Sequence, residues 1–296
     1  MYRTLLVPLD GSALGEGALP TAAYLAQRMG AGVTLVRAAS DASPHTVHEA
    51  RHYLDGARTL LPDNIPVHAT VSHGPAAHGI LDALRDPGAD FVVMTTHGRG
   101  GLRRLVYGSV AEQVLAASPA PVWLVPARGT AHPALLSSGN IQILALFDGS
   151  LFAEAALFHA VTLARALAGR LILLRVVPPQ PLLVDPIMAE TLTPIAGDSE
   201  EAAEGYLQKL ASTITLDNTR VRAVVRTGPP AQTILDEMWA SGADVLVMAT
   251  HGRSGLTRTL LGSVAMALVH ACTTPMVLIR PGHTASPATG EMTLVD

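Results

Sequence analysis

The 296-residue sequence has a single cysteine, Cys272. One thiol cannot build a disulfide framework within the chain or a cysteine metal cluster, so Cys272 is expected to be a small buried hydrophobe near a helix end. Charge is scarce as well: 15% of the residues are Asp, Glu, Lys or Arg, and the formal net charge is −4. No long basic run occurs, and nothing favours nucleic acid as a partner. The apolar runs stop well short of the roughly 18 residues that a membrane helix needs. Met1 is followed almost at once by an apolar strand pattern, Thr4-Leu5-Leu6-Val7-Pro8-Leu9, with no basic start and long apolar core before it, which reads against a signal peptide. The twelve histidines form no cluster with cysteine or carboxylates at ligand spacing, so no metal site is expected. These absences point to a soluble cytoplasmic protein with no membrane partner.

What is abundant is apolar surface, at 49% hydrophobic residues, in a chain long enough for two domains. The sequence also repeats itself. Leu9-Asp10-Gly11-Ser12 returns as Phe147-Asp148-Gly149-Ser150, an offset of 148 − 10 = 138. Thr96-His97-Gly98-Arg99 returns as Thr250-His251-Gly252-Arg253, an offset of 251 − 97 = 154, and Tyr107-Gly108-Ser109-Val110-Ala111 returns at the same distance. The second copy therefore carries 16 extra residues between Arg175 and Gly228. Proline-rich Pro178 to Asp198 is the expected site, as an enlarged loop.

Each copy reads as strands alternating with helices. Arg3–Leu9 is a short apolar run suited to a buried parallel strand, and Ser12 can cap a helix in which Ala18, Ala22, Leu25 and Met29 share a face. Strands are expected over Val33–Ala38, around Val67 to Val71, over Asp90–Thr95 and over Pro121–Val125, with helices at about His45–Leu61, Pro75–Arg85 and Val110–Ala117. Such alternation implies a parallel sheet covered on both faces. The expected fold is α/β: two tandem, doubly wound, five-stranded Rossmann-like domains at 1–127 and 141–281, with a linker at 128–140 and a flexible tail at 282–296.

Ligands on sheets of this kind sit beyond the carboxyl ends of the strands, where strand order reverses. Asp10 and Asp148 end the first strand of each copy, and a glycine-rich loop follows the fourth. Gly98, Gly100 and Gly101 permit close approach of backbone N–H groups to an anion, and Gly108-Ser109 then opens a helix whose first amides favour phosphate. The aspartates can accept from ribose hydroxyls or simply brace the turn. Ser109 with Glu112 three residues on fits a capping box, whereas Ser263 has Met266 at that place. His97 and His251 are read as loop packing or hydrogen bonding, Arg103, Arg104 and Arg258 as a solvated face, and Met94 and Met248 as packing.

The motif at these residues resembles that of the universal stress proteins, G-x2-G-x9-G-[S/T]. Gly98 with Gly108-Ser109 and Gly252 with Gly262-Ser263 both keep the nine-residue spacing, and Leu6-Val7-Pro8-Leu9-Asp10-Gly11-Ser12 is similar to the family's first strand. The resemblance covers both repeats. Two departures stand out: Thr95 and Ala249 replace the first glycine, and Leu146 stands where the first copy has Pro8. For the ATP-binding branch of the family, the resemblance implies base and ribose near Pro8, Asp10 and Ala38, or near Asp148 and Val176. It implies phosphates near Gly98, Arg99, Gly108, Ser109 and Val110, or near Gly252, Arg253, Gly262, Ser263 and Val264, with Thr95 and Ala249, at the place of the first glycine, counted among the nucleotide-binding positions. The expected ligand is thus an adenine nucleotide, ATP, with Mg²⁺ accompanying it but no dedicated protein site for the ion. The family's dimers pair the edges formed by the last strand. An intrachain pseudo-dimer through Val122–Val125 and Met276–Ile279 is therefore implied, with further homodimerisation left open.

The leading expectation is a nucleotide-dependent stress-response or signalling module, with catalysis absent or slow, because no repeated set of residues is suited to orient water and neutralise developing charge. An interaction protein of the same family that does not bind nucleotide is the alternative, supported by Thr95 and Ala249. Nucleotidyl transfer is a third reading, whereas a dehydrogenase would need G-x-G-x-x-G after the first strand, where Asp-Gly-Ser stands.

Overall fold

The computed structural model describes residues 1–85, 88–96, 108–126, 141–179, 199–214, 221–252 and 261–280. The linker expected at 128–140, the tail, most of the insertion and the greater part of both glycine-rich loops lie outside the described residues. The described elements fall into two compact units, one carrying β1–β5 and the other β6–β10.

In the first unit the order is β1 (Thr4–Pro8), α1 (Ala13–Glu16), α2 (Leu19–Met29), β2 (Gly32–Ala39), α3 (Pro44–Arg58), β3 (Val67–His73), α4 (Ala76–Arg85), β4 (Phe91–Thr95), α5 (Ser109–Ala117) and β5 (Val122–Val125). The second has β6 (Gln142–Leu146), α6 (Leu151–Leu167), β7 (Arg170–Val177), α7 (Glu200–Ser212), β8 (Val221–Thr227), α8 (Pro230–Ser241), β9 (Val245–Ala249), α9 (Ser263–Ala271) and β10 (Met276–Ile279). The strands run in the order β3-β2-β1-β4-β5 in the first unit and β8-β7-β6-β9-β10 in the second, each pair parallel. Leu5 sits in register with Val33 and Phe91, as Ile143 does with Leu171 and Val245.

Burial explains the strand sequences. Every residue of β4 and β9 is buried, which suits apolar runs covered on both faces. The outer strands β3 and β8 lie largely exposed and carry His68, Thr70, Arg222 and Arg226. Two local differences separate the copies. The first helix of the first unit breaks at Gly17–Ala18, because Pro20 has no N–H to continue the ladder and opens α2 instead; Phe158 at the equivalent place lets α6 run unbroken for 17 residues. The second difference concerns the insertion. β2 is followed by α3 within a few residues, whereas β7 ends at Val177 and α7 begins at Glu200, so the extra residues fall between those elements, where Pro178 to Asp198 was expected.

Candidate functional site

Strand order reverses between β1 and β4, and again between β6 and β9, and a pocket opens beyond each reversal. The first pocket encloses about 430 Å³ and brings together Pro8, Asp10, Ala38, Thr95, Gly108, Ser109 and Val110. The second encloses about 270 Å³ and brings together Asp148, Val176, Ala249, Gly252, Gly262, Ser263 and Val264. Gly98, Arg99 and Arg253 lie outside the described residues, as do His97, Arg103, Arg104 and Arg258.

One wall is a turn held by its own side chains. Asp10 Oδ1 accepts from the Ser12 amide at 3.0 Å and from the Ser12 hydroxyl at 2.6 Å, and Ser12 Oγ in turn accepts from the Gly15 amide at 3.1 Å to cap α1. Asp148, Ser150 and Ala153 repeat these bonds at 2.9, 2.6 and 3.1 Å. Gly11 and Gly149 turn the chain at φ 83 and 85, a region costly for residues with a Cβ. Bracing the turn and facing the pocket are therefore done by one carboxylate.

The facing wall is a helix N-terminus. The Gly108 amide donates to Thr96 O at 2.9 Å, and Gly262 does the same to Thr250 O at 2.8 Å. These bonds set the start of α5 and α9 directly over the end of the neighbouring strand. The capping box expected from Ser109 and Glu112 does not form. The N-cap is Gly108 itself, in extended conformation, with no side-chain cap; the Glu112 amide closes onto Gly108 O at 3.1 Å, so Ser109 is the first helical residue. Gly262 caps α9 in the same way. The first-turn amides of each helix thus have no intrahelical acceptor and no side-chain cap, and the residues that carry them line the pocket.

The glycines are present for different reasons. At Gly252 a Cβ would run into Asp148 Oδ2, so glycine is what lets the loop and the aspartate approach. Gly108 has φ −64, and a Cβ there would meet only Thr96 O at 3.8 Å, an ordinary contact. Among the described residues no contact requires glycine at that position, whereas a Cβ on Gly262 would stand 3.2 Å from Thr250 O.

Several lining residues were not singled out from the sequence. Ala76 and Ile80 of α4, and Pro230 and Ile234 of α8, form the apolar end of each pocket with Met94 and Met248. Behind the turn lies a second repeated group. The Arg37 guanidinium sits 4.5 Å from the Tyr53 ring centroid, and the Tyr53 hydroxyl donates to Glu16 Oε1 at 2.9 Å. Arg175 lies 5.1 Å from the Tyr206 ring, with its guanidinium against Gly149. Burial, and next the neighbouring glutamate, pushes the Tyr53 phenol well above its usual range. The signal for this group was in the repeat itself, since Glu16 and Arg37 recur as Glu154 and Arg175 at the offset of 138.

His251 Nδ1 lies 3.0 Å from Thr250 Oγ1, in keeping with a hydrogen-bonding role. Cys272 caps α9, partly buried, with its thiol 3.3 Å from Thr274 O. Among the described residues no group of His, Cys, Asp or Glu is placed to hold a metal ion, and no helix is long and apolar enough to cross a membrane.

The model of the universal stress protein family matches residues 1–126 and, a second time, 141–280. A universal stress protein of Mycolicibacterium smegmatis is 28% identical over 94% of this chain and 97% of its own length. Universal stress protein Rv2005c of Mycobacterium tuberculosis is 27% identical over 65% of the chain and 62% of its own length. Among solved structures, a universal stress protein from Archaeoglobus fulgidus DSM 4304 superposes over 94% of this chain and 98% of its own with a TM-score of 0.68 at 18% identity, a likeness of fold.

Proposed function

The chain belongs to the universal stress protein family, and from that premise we propose that it binds ATP at the carboxyl ends of its parallel strands and acts as a nucleotide-dependent stress-response or signalling module. The observation that carries this reading is the uncapped first turn of α5, whose amides face a pocket of about 430 Å³ with a carboxylate on one side and an apolar slot at its far end. Phosphate oxygens are the natural acceptors for the Ser109 and Val110 amides and for the Ser109 hydroxyl, favoured further by the positive end of the helix dipole. Asp10, held by Ser12, accepts from ribose hydroxyls. Pro8, Ala38, Ile80 and Met94 offer the flat apolar surface that a purine needs. Gly98 and Arg99, with Gly252 and Arg253 in the second copy, complete the phosphate loop by resemblance. Mg²⁺ enters with the phosphates, as it does where the protein supplies few ligands.

An adenine-nucleotide switch needs no fast chemistry. Hydrolysis, where it occurs, is slow in this reading, because the sequence repeats no set of residues suited to orient water and neutralise developing charge. A second reading is an interaction protein that takes no nucleotide, and Thr95 and Ala249 favour it, since each puts a Cβ where the motif has bare backbone. Thr95 is only 8% exposed, and its methyl lies next to Gly17.

Release of small molecules from the pure protein, analysed by mass spectrometry, followed by titration with ATP, tests the reading. The expected result is adenine nucleotide in the released fraction or micromolar binding on titration. Protein that releases none and gives no response to ATP supports the interaction reading instead.

A further inference from the structure

The group behind the Asp-Gly-Ser turn recurs in both copies although its members come from three separate elements. Glu16, Arg37 and Tyr53 lie on α1, β2 and α3; Glu154, Arg175 and Tyr206 lie on α6, β7 and α7. The second copy shows what the arginine touches. A Cβ on Gly149 would stand 3.2 Å from Arg175 Cζ, Nη1 and Nη2 alike. Equal distances to three atoms of a planar group place the glycine over its flat side. The backbone of the turn therefore rests on the guanidinium, and a residue with a side chain would be pressed against it. The same guanidinium lies 5.1 Å from the Tyr206 ring centroid, and Arg37 lies 4.5 Å from that of Tyr53.

Electrostatics tie the group to the aspartate. Burial, next Glu154 and, more weakly, Asp148 raise the Tyr206 phenol above its usual range, with Arg175 opposing them; burial, Glu16 and Asp10 act on Tyr53 in the same way against Arg37. Each copy thus gathers two carboxylates, one cation and one phenol. Arg175 is only 4% exposed, and a cation so deeply buried is costly unless negative groups face it. Without the arginine the two carboxylates would stand uncompensated, and the turn would lose the surface it rests on.

We propose that Arg175 and Arg37 are positioning residues for nucleotide binding. Stacked on Tyr206 or Tyr53, each backs the Asp-Gly-Ser turn and holds the Asp148 or Asp10 carboxylate where ribose hydroxyls reach it. This rests on the ATP reading above and adds residues that act through the aspartate on the ribose alone. The amides assigned to phosphate belong to the facing wall, at the start of α5 and α9, and are set by other elements.

Titration of the ¹⁵N-labelled full chain reads the two sites separately, through the Ser109 amide for the first and the Ser263 amide for the second. ATP is compared with 2′,3′-dideoxy-ATP, which lacks the hydroxyls that the aspartate accepts from. Each occupied site of the parent should prefer ATP. Arg175→Met should lower ATP affinity at the second site at least tenfold, and leave both dideoxy-ATP there and ATP at the first site within twofold of the parent. Arg37→Met should do the same at the first site. Equal losses for the two nucleotides would reduce the arginines to a structural role, and an unchanged preference for ATP would remove them from the site; either result overturns the proposal. Arg37 is half-buried, so its variant keeps the test decisive where Arg175→Met does not fold. A parent that binds both nucleotides equally would overturn the ribose assignment and this proposal but leave ATP binding standing, whereas a parent that binds neither would overturn the ATP reading itself.

Discussion

The first and second pockets are the same device built twice, and their differences separate what the fold needs from what a ligand needs. The Asp-Gly-Ser turn is identical in both, with hydrogen bonds that agree to within 0.1 Å, because it begins the first helix whatever the pocket holds. The glycine that opens α5 and α9 is also identical: among the described residues no contact demands it at Gly108, whereas at Gly262 a Cβ would stand 3.2 Å from Thr250 O. The apolar end is mixed: Ile80 and Met94 recur as Ile234 and Met248, whereas Ala38 and Ala76 become Val176 and Pro230.

The largest effect expected is on binding. Gly108→Val puts a branched side chain at the N-cap of α5, over the amides assigned to phosphate, and should lower ATP affinity at least a hundredfold with the fold retained, as read by equilibrium dialysis beside circular dichroism. Affinity equal to the parent's would remove the helix N-terminus from the site.

A difference between the domains in acid follows next. His159 is buried in α6, where the first copy has Thr21, and desolvation pushes its pKa down to about 4. The unfolded chain then binds the proton more readily than the folded one between about pH 4 and pH 6.5. The stability tied to neutral His159 is complete above the ordinary imidazole value and is lost as pH falls toward 4, by up to about 3 kcal/mol. Urea denaturation at pH 7 and pH 4.5 should show a steeper loss for the parent than for His159→Thr, and parallel losses would contradict the buried neutral state.

Gly252→Ala should cost about 1–3 kcal/mol, because its Cβ meets Asp148 Oδ2 and either the loop or the carboxylate must shift. Gly108→Ala, with ordinary room for its Cβ, should cost much less, and thermal melts of the two variants compare them directly. The smallest effect concerns helix ends. α2 finishes on Gly30 at φ 64, whereas α6 finishes on Ala168 at φ 50, the one non-glycine residue at positive φ among those described. Ala168→Gly should raise stability by about 1 kcal/mol by removing that strain, and a lower melting temperature would count against it.

The fold was legible because buried parallel strands write themselves as apolar runs and because the repeat supplies each element twice. Even so, Pro20 within the periodic stretch Ala18 to Met29 marked a break that periodicity alone passed over. The site was legible where chemistry and glycine spacing coincide, at Asp10, Gly108 and Ser109. It was less so where the backbone decides the role: Ser109 looked like a cap until the helix was seen to begin one residue earlier, at an extended Gly108. Arg37, Tyr53 and Glu16 come from three separate elements, so no local spacing announces their contact.

The proposed site centres on main-chain amides at the start of α5 meeting phosphate. Titrating the ¹⁵N-labelled chain with ATP and, separately, with adenosine reads those amides one by one. The Ser109 and Val110 resonances should move strongly with ATP and little with adenosine; equal movement with both, or none with ATP, would contradict the assignment.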